Sequence, residues 1–577
     1  MSEMKLRIRY IMVVIILCAG GLINGSYAQT IYDSAFAEIA RSYPEKLVVF
    51  TDRTLYAVNE TIRFSALLQS GNEPYHGLGS KVLYVELVNS SGTSVAQAKY
   101  LIKENRSTGH LNIPSNSLSG SYYLRSYTRW MRNFGSQDFS YIPIRVVNPY
   151  SSDVVTDSPL PGLTDLLAVP GGIRMISLSV SRTTYHAGDR VEVELSLEDG
   201  NISHVQDACI SVVPSGTIDT AIFQYKVDSR PESTAPFQFN FLPEIEGTSI
   251  SGLALEANNQ KAASDTRIHF SILGEDAAYF VTESDPEGRF LINTPLRTGN
   301  MEMFVVPEYL PGNPVEVRID NDFTSEPLPF LPGPFKLSQE EQVLASRLSL
   351  NMQLQGTFLA DSASRHAMLT EGTESIPFYG TPEISVRLGE FVNLPNMEEV
   401  IENLIPKTFV ERREGEVQLV IDSENPMISM FPPLILIDHI PVFDMEVIMA
   451  IPPSKLDHIE VIPEVYVLGE VKYGGIISFT SREGDLASIK LPEGSYFFDY
   501  LAFQPPLIPQ GARHSGPGKI PDTRNTLYWR DQLELHKGSS QKLSFQAASV
   551  PGTYTILFRG VSSDGDLVFG MEHFLVK

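Results

Sequence analysis

Residues 433–481 read PLILIDHIPVFDMEVIMAIPPSKLDHIEVIPEVYVLGEVKYGGIISFTS, and their reading decides the fold of the second half of the chain. Three apolar runs stand out: LILI at 434–437, HIEVI at 458–462 and GGIISFT at 474–480. Short apolar runs bounded by turn residues are the signature of buried strands. Runs with no polar face need cover on both sides of their sheet. Met397, Val400, Ile401 and Leu404, spaced i, i+3, i+4, i+7, predict a helix that covers one face. Residues 497–507 (FFDYLAFQPPL) supply apolar surface for the other. On this reading residues 384–510 form one α/β unit packed on a C-terminal sandwich, with the Asp438-His439 turn exposed. A fragment spanning 384–577 would then fold alone as a monomer.

Working outward, Asp438, Ile459-Glu460-Val461-Ile462 and Tyr473-Gly474-Gly475-Ile476-Ile477 resemble the plug domain of TonB-dependent outer-membrane transporters. The resemblance covers about residues 384–482. It departs at His439, where the family has Gly, and His is a poorer fit than Gly to a turn with positive φ. A transporter plug is followed by a barrel of about 22 strands, and the residues after Ser481 are too few for one. The resemblance therefore implies a plug-like domain without its barrel, and an outer-membrane or envelope protein as partner.

The chain has 577 residues, enough for several domains, and a globular composition with 42% hydrophobic and 20% charged residues. Its formal net charge of -25 argues against nucleic acid or anionic lipid as the main partner, because both select a positive surface. Lys5, Arg7 and Arg9, the apolar run from Tyr10 to Leu22 and then Ser26-Tyr27-Ala28 read as a secretory signal peptide over 1–28, cleaved after Ala28. Only Cys209 is then left, so no intramolecular disulfide can form. No later stretch is long and apolar enough to span a membrane as a helix. The expected location is the periplasm or the outer-membrane face.

Residues 29–42 predict a short amphipathic helix. Residues 43–148 then alternate as strands punctuated by Gly, Asn, Ser and Pro, as in a β-sandwich. Thr51-Asp52-Arg53-Thr54-Leu55-Tyr56 with Glu60, Ile62 and Phe64, together with Ser119-Gly120-Ser121-Tyr122-Tyr123-Leu124-Arg125 and Tyr127 to Met131, resemble the second macroglobulin domain of the α2-macroglobulin family. The likeness is greatest to the envelope proteins of Bacteroidetes that carry it. Asn59 stands where the family has Gly, and Asn tolerates a left-handed turn.

Residues 149–172 read as a linker and 173–245 as a second macroglobulin-like β domain. Residues 246–321 resemble the carboxypeptidase regulatory-like sandwich, with Asp285-Pro286-Glu287-Gly288-Arg289-Phe290 as its hairpin. There Gly288 supplies the turn and Phe290 returns to the core. Residues 322–383 read as a helical connector, opened by the capping box Ser338 and Glu341. The plug-like α/β domain takes 384–493 and a C-terminal β-sandwich 494–577. The fold class is therefore mainly β, with tandem macroglobulin- or Ig-like sandwiches plus one small α/β plug-like domain.

For chemistry, Cys209 lies in an apolar strand (DACISVV) without the Cys-Gly-Glu-Gln of thioester macroglobulins, and reads as a buried small hydrophobe. Residues 511–519 (GARHSGPGK) miss the phosphate-loop pattern. Asp320-Asn321-Asp322 lacks the spaced ligands of a Ca2+ loop and reads as a turn. The eleven His include no HExxH. No catalytic, cofactor or metal residue is nominated, and the chain is read as no enzyme.

Tyr123, Arg125, Tyr127 and Arg129 fall on one face of a strand. Such a ladder grips a partner or forms an internal cation–π stack. With Asp438 and His439 these are the candidate partner-binding residues. The function so read is a non-catalytic, exported envelope binding or scaffold protein. The alternative is a non-covalent protease-interacting macroglobulin relative, with a labile segment at 149–172 or 215–245.

Overall fold

Ile62, Phe64, Ala66 and Leu68 fall at every second position of strand Thr61–Ser70, and all four side chains enter one core. The computed structural model describes residues 44–70, 79–155, 167–168, 174–197, 202–219, 226–227, 240–274, 277–308, 313–330, 332, 334–363, 377–413, 415–469, 471–505 and 522–577. The expected signal peptide, N-terminal helix and 511–519 loop lie outside the described residues, as does most of the linker and of 215–245. Between those last two, Leu167–Ala168 pairs with Lys226–Val227. The fold class is as read: mainly β, in sandwiches, with one small α/β unit.

In the first sandwich, strands Glu45–Thr51, Thr61–Ser70 and Arg106–Asn112 form one sheet. Leu55–Ala57, Ser140–Val147, Gly120–Tyr127, Val82–Asn89 and Ser94–Leu101 form the other, in that spatial order. Phe323, Leu328 and Phe330, from a much later segment, join the same core.

The second sandwich corrects the division of the chain. Strand His204–Pro214 lies between Tyr528–His536 and Gly552–Ser562, and Arg190–Ser196 pairs with Ser540–Gln546. Residues 174–214 and 522–577 are thus two halves of one body, not separate domains. Val193, Leu195, Ile210 and Val212 share a core with Leu535, Leu543, Phe558 and Phe574. Neither half can bury its apolar face without the other.

The third sandwich sets Arg289–Asn293, Ser249–Glu256 and Val315–Ile319 against Ala278–Glu283, Arg267–Ile272, Asn300–Pro307 and Tyr496–Leu501. Its hairpin turns at Gly288 (φ +78), where a Cβ would meet the Ala254 carbonyl oxygen at 2.5 Å, and Phe290 is buried. Strand Tyr496–Leu501, expected in the C-terminal sandwich, instead extends this sheet beside Asn300–Pro307.

The α/β unit holds a mixed five-stranded sheet in the order Ile384–Arg387, Leu456–Ile462, Ile476–Ser481, Leu434–Ile437, Ile440–Pro441. The run LILI is apolar throughout because both faces are covered. Ile435 and Ile437 meet Val400 and Ile401 of helix Met397–Leu404 and Ile448 of helix Met445–Met449. Leu434 and Leu436 meet Val471 and Tyr473 of a hairpin, with Tyr379 and with Tyr279 of the third sandwich. The second cover is therefore not residues 497–507, since Phe497 packs at a tilt against Phe304 of the third sandwich. The unit packs on that sandwich, through Ile440 against Phe304 and Val306, and among the described residues none of its hydrophobic clusters includes a residue of 522–577.

The connector is also corrected. Residues 322–330 run without helix over the first sandwich, and among the described residues of the connector Gln339–Ala363 is the helical part. Its start is the expected capping box: Glu341 N–H donates to Ser338 Oγ at 3.2 Å, and Ser338 N–H donates to Glu341 Oε2 at 2.9 Å. The described modules are nested. The α/β unit interrupts the third sandwich, and the third interrupts the second.

Candidate functional site

A buried set of charged side chains lies where the first sandwich meets the second. Asn59 takes the left-handed turn (φ +66), and Glu60 follows it with its Oε2 accepting Ala57 N–H at 2.7 Å. Arg53 then reaches Glu60 through both terminal nitrogens, at 3.0 and 3.3 Å, in the two-pronged geometry that suits guanidinium and carboxylate. Arg53 also lies over the Tyr56 ring, 4.4 Å from its centroid, and Tyr56 Oη–H donates to Asp52 at 2.7 Å. All four side chains are buried. The second sandwich completes the set: Asn525 Nδ2 donates to Glu60 Oε1 at 2.6 Å and Thr526 Oγ1 donates to Asp52. Asn351, from the long helix, donates to Asn525 Oδ1 at 2.9 Å.

A second seam absorbs the predicted ladder. Tyr123, Arg125 and Tyr127 alternate along strand Gly120–Tyr127, whereas Arg129 lies beyond its end in helical backbone, and all four are buried, which corrects their placing on a partner-binding face. Residues 322–330 cover the first three. Phe330 packs edge-on to Tyr123 at 4.9 Å, and Arg125 donates to the Glu326 and Thr324 carbonyl oxygens at 2.8 and 3.3 Å. Glu86 Oε1 accepts from Arg125 at 2.9 Å and from Tyr127 Oη at 2.8 Å. Arg129 donates to Ser249 O at 3.0 Å in the third sandwich. The ladder holds another part of its own chain.

Beside it, Lys99 is buried, paired with Asp322, and donates to Tyr500 Oη at 2.8 Å. Glu244 accepts from Tyr84 Oη at 3.0 Å and from Ser249 N–H at 2.7 Å. Burial pushes its carboxyl up to about 7, against the opposing pull of Arg129. Asp320-Asn321-Asp322 is a turn, with Asn321 Oδ1 accepting Phe323 N–H at 3.0 Å.

Asp438 and His439 form a turn with φ of +45 and +69, and the exposure expected of it is not found. Both are partly buried: the Asp438 carboxylate accepts from Ser481 N–H at 2.8 Å and Leu486 N–H at 2.9 Å, and Ser271 Oγ donates to His439 O at 2.8 Å. Cys209 is fully buried, and burial pushes its thiol up to about 12.

Among the described residues, one group offers converging metal donors: His204, Glu534 and His536. Glu534 and His536 alternate along one strand, and no local pattern signals the third member, because His204 joins them through the pairing of His204–Pro214 with Tyr528–His536. The seam partners Asn351, Asn525 and Thr526 were missed for the same reason. No described helix is long and apolar enough to cross a membrane.

No family model matches the sequence, and no curated protein matches it. Among solved structures, native Escherichia coli alpha-2-macroglobulin is similar over 93% of this chain and 40% of its own, at 8% identity and TM-score 0.22. Salmonella alpha-2-macroglobulin reacted with methylamine is similar over the same shares, at 10% identity and TM-score 0.22. The Yersinia pseudotuberculosis adhesin InvE is similar over 48% of this chain and 59% of its own, at 11% identity and TM-score 0.13. The chain thus spans about 40% of the length of the macroglobulins it is similar to. Superposition this loose carries no functional weight.

Proposed function

We propose that this chain is a non-catalytic, exported binding or scaffold protein of the cell envelope, whose partner is an outer-membrane or envelope protein. The observation that carries the reading is the destination of its charged side chains. Glu60, Lys99, Arg125 and Arg129 each bind a different module or segment of the same chain. Such seams suit a body that keeps its shape while displaying a surface. Two further features support the reading. The α/β unit exposes Phe391, Phe409, Met427 and Met430, residue types enriched in interface cores, with Val392 beside them in sequence. Residues 5–28 have the pattern of an export signal.

Crosslinking in native envelopes, with identification of the attached proteins, tests the proposal. The expected result is recovery in the envelope fraction, with crosslinks from the α/β unit to an envelope protein. A mature protein confined to the cytoplasm would contradict it.

A further inference from the structure

His204 and His536 stand directly opposite each other in antiparallel register, their rings 4.3 Å apart and 4° from parallel. Glu534 lies two positions before His536, so the strand pleat places it on the same side of the sheet. From these three residues we propose a binding site for a divalent transition-metal ion of the Zn2+ class, at the edge of the second sandwich.

The donor set is two imidazoles and one carboxylate, which suits borderline ions such as Zn2+ better than Ca2+ or Mg2+. The donor atoms all lie within 4.8 Å of one another. Bonds of about 2.1 Å to a tetrahedral ion require donors roughly 3.4 Å apart. Small rotations of the exposed Glu534 and His536 side chains and the half-exposed His204 close that difference. One donor already lacks a partner: His204 Nε2 is buried and makes no hydrogen bond. A buried polar atom in that state is costly, and a coordinated ion would satisfy it.

Arg106 sits in the surroundings as both support and opposition. It reaches across from the first sandwich and donates to Glu534 Oε1 at 2.9 Å, with Asp207 3.9 Å away. It thereby orients the carboxylate, as outer-shell groups do at metal sites. Its positive charge also opposes the ion, and Asp207 offsets part of that charge. Tyr528–His536 is the edge strand of its sheet, and Glu534 and His536 are exposed, so solvent reaches those two ligands. His204 comes from residues 174–214 and Glu534 and His536 from residues 522–577, so bound metal would tie the two halves of the second sandwich together.

The test uses the untagged mature chain, stripped of metal and titrated with Co2+ by visible absorption and with Zn2+ by calorimetry. Beside it run His536→Ala, Glu534→Gln and the double variant His204→Ala/His536→Ala. His536 and Glu534 are exposed, so equal unfolding midpoints in chelator verify that those variants fold. The expected result is one ion per chain, with the absorption of a low-coordinate Co2+ site. Affinity should fall at least tenfold in His536→Ala and several-fold in Glu534→Gln, and be lost in the double variant. No stoichiometric binding by the parent chain would overturn the proposal. Binding that is unchanged in His536→Ala and Glu534→Gln would overturn it too, by placing the ion elsewhere.

Discussion

Asn525 donates from Nδ2 to Oε1 of Glu60 at 2.6 Å, a buried hydrogen bond between residues 465 positions apart. It ties the second sandwich to the charged centre of the first. A hydrogen bond to a charged group contributes about 1.5–3 kcal/mol. Asn525→Ala should lower stability by that amount in urea unfolding. Asn525→Asp should cost more, because it sets a second carboxylate against Glu60.

Arg53 answers both Asp52 and Glu60. Removing one partner of a buried ion pair leaves the other charge uncompensated and costs about 3–5 kcal/mol. Arg53→Met should show that loss. Arg53→Lys should recover only part, since an ammonium cannot reproduce the two-pronged contact. In the double variant Arg53→Met/Glu60→Leu the loss should be smaller than the sum of the single losses. Additive losses would mean that the two residues are not coupled.

The pH dependence follows from two acids that burial raises, Glu244 to about 7 and Asp207 to about 6. In the unfolded chain they release their protons near the ordinary values of 4.5 and 3.8. Between those values and about pH 7 the folded chain therefore binds more protons, and stability falls as pH rises. This contribution is fully present below the unfolded values and is lost as pH passes through the folded ones. Glu244→Gln should flatten the decline and, at pH 8, stand roughly 2–3 kcal/mol above the parent. Unfolding midpoints at pH 5 and pH 8 check this, and a parent chain no less stable at pH 8 relative to pH 5 than the variant would refute it.

Asp438 holds a turn in which two successive non-glycine residues have positive φ. Its carboxylate accepts from Ser481 N–H, Ser481 Oγ and Leu486 N–H. Asp438→Ala leaves the turn strained and those donors unpaired, so a loss of about 2–4 kcal/mol is expected in thermal or urea unfolding. Asp438→Asn, which keeps an acceptor, should lose less.

Local pattern made the strands of the first sandwich and of the α/β unit legible, because period-two alternation and the continuous run LILI report burial directly. Pattern also placed Tyr123, Arg125 and Tyr127 on one strand face, though it extended that face to Arg129, which lies past the strand's end. It could not say what lies over that face. The cover, residues 322–330, has no periodicity of its own and comes about 200 positions later. Strand Tyr496–Leu501 and residues 522–577 looked like one sandwich because they are consecutive. Their partners are Asn300–Pro307 and residues 174–214, and an apolar strand does not encode which distant strand it pairs with.

That pairing changes what residues 384–577 should do when expressed alone. Strand Tyr496–Leu501 would lack Asn300–Pro307, and Tyr528–His536 and Gly552–Ser562 would lack the strand between them. The fragment should protect amides of the α/β unit from hydrogen exchange and leave those of 522–577 unprotected. Uniform protection would argue for an independent C-terminal domain.

The nested return of the chain is tested most directly by a cross-strand disulfide. Glu192 and Ser544 are register partners on exposed positions of Arg190–Ser196 and Ser540–Gln546. Directly opposed residues hold their Cβ atoms about 4.5–5.5 Å apart, close enough for a disulfide after small adjustment. In the variant Glu192→Cys/Ser544→Cys, mild oxidation followed by peptide mapping should find the two cysteines joined within one chain, with Cys209 unmodified in its core. Intermolecular bridges, or two free thiols in a folded protein, would contradict the joining of residues 174–214 and 522–577 into one sandwich.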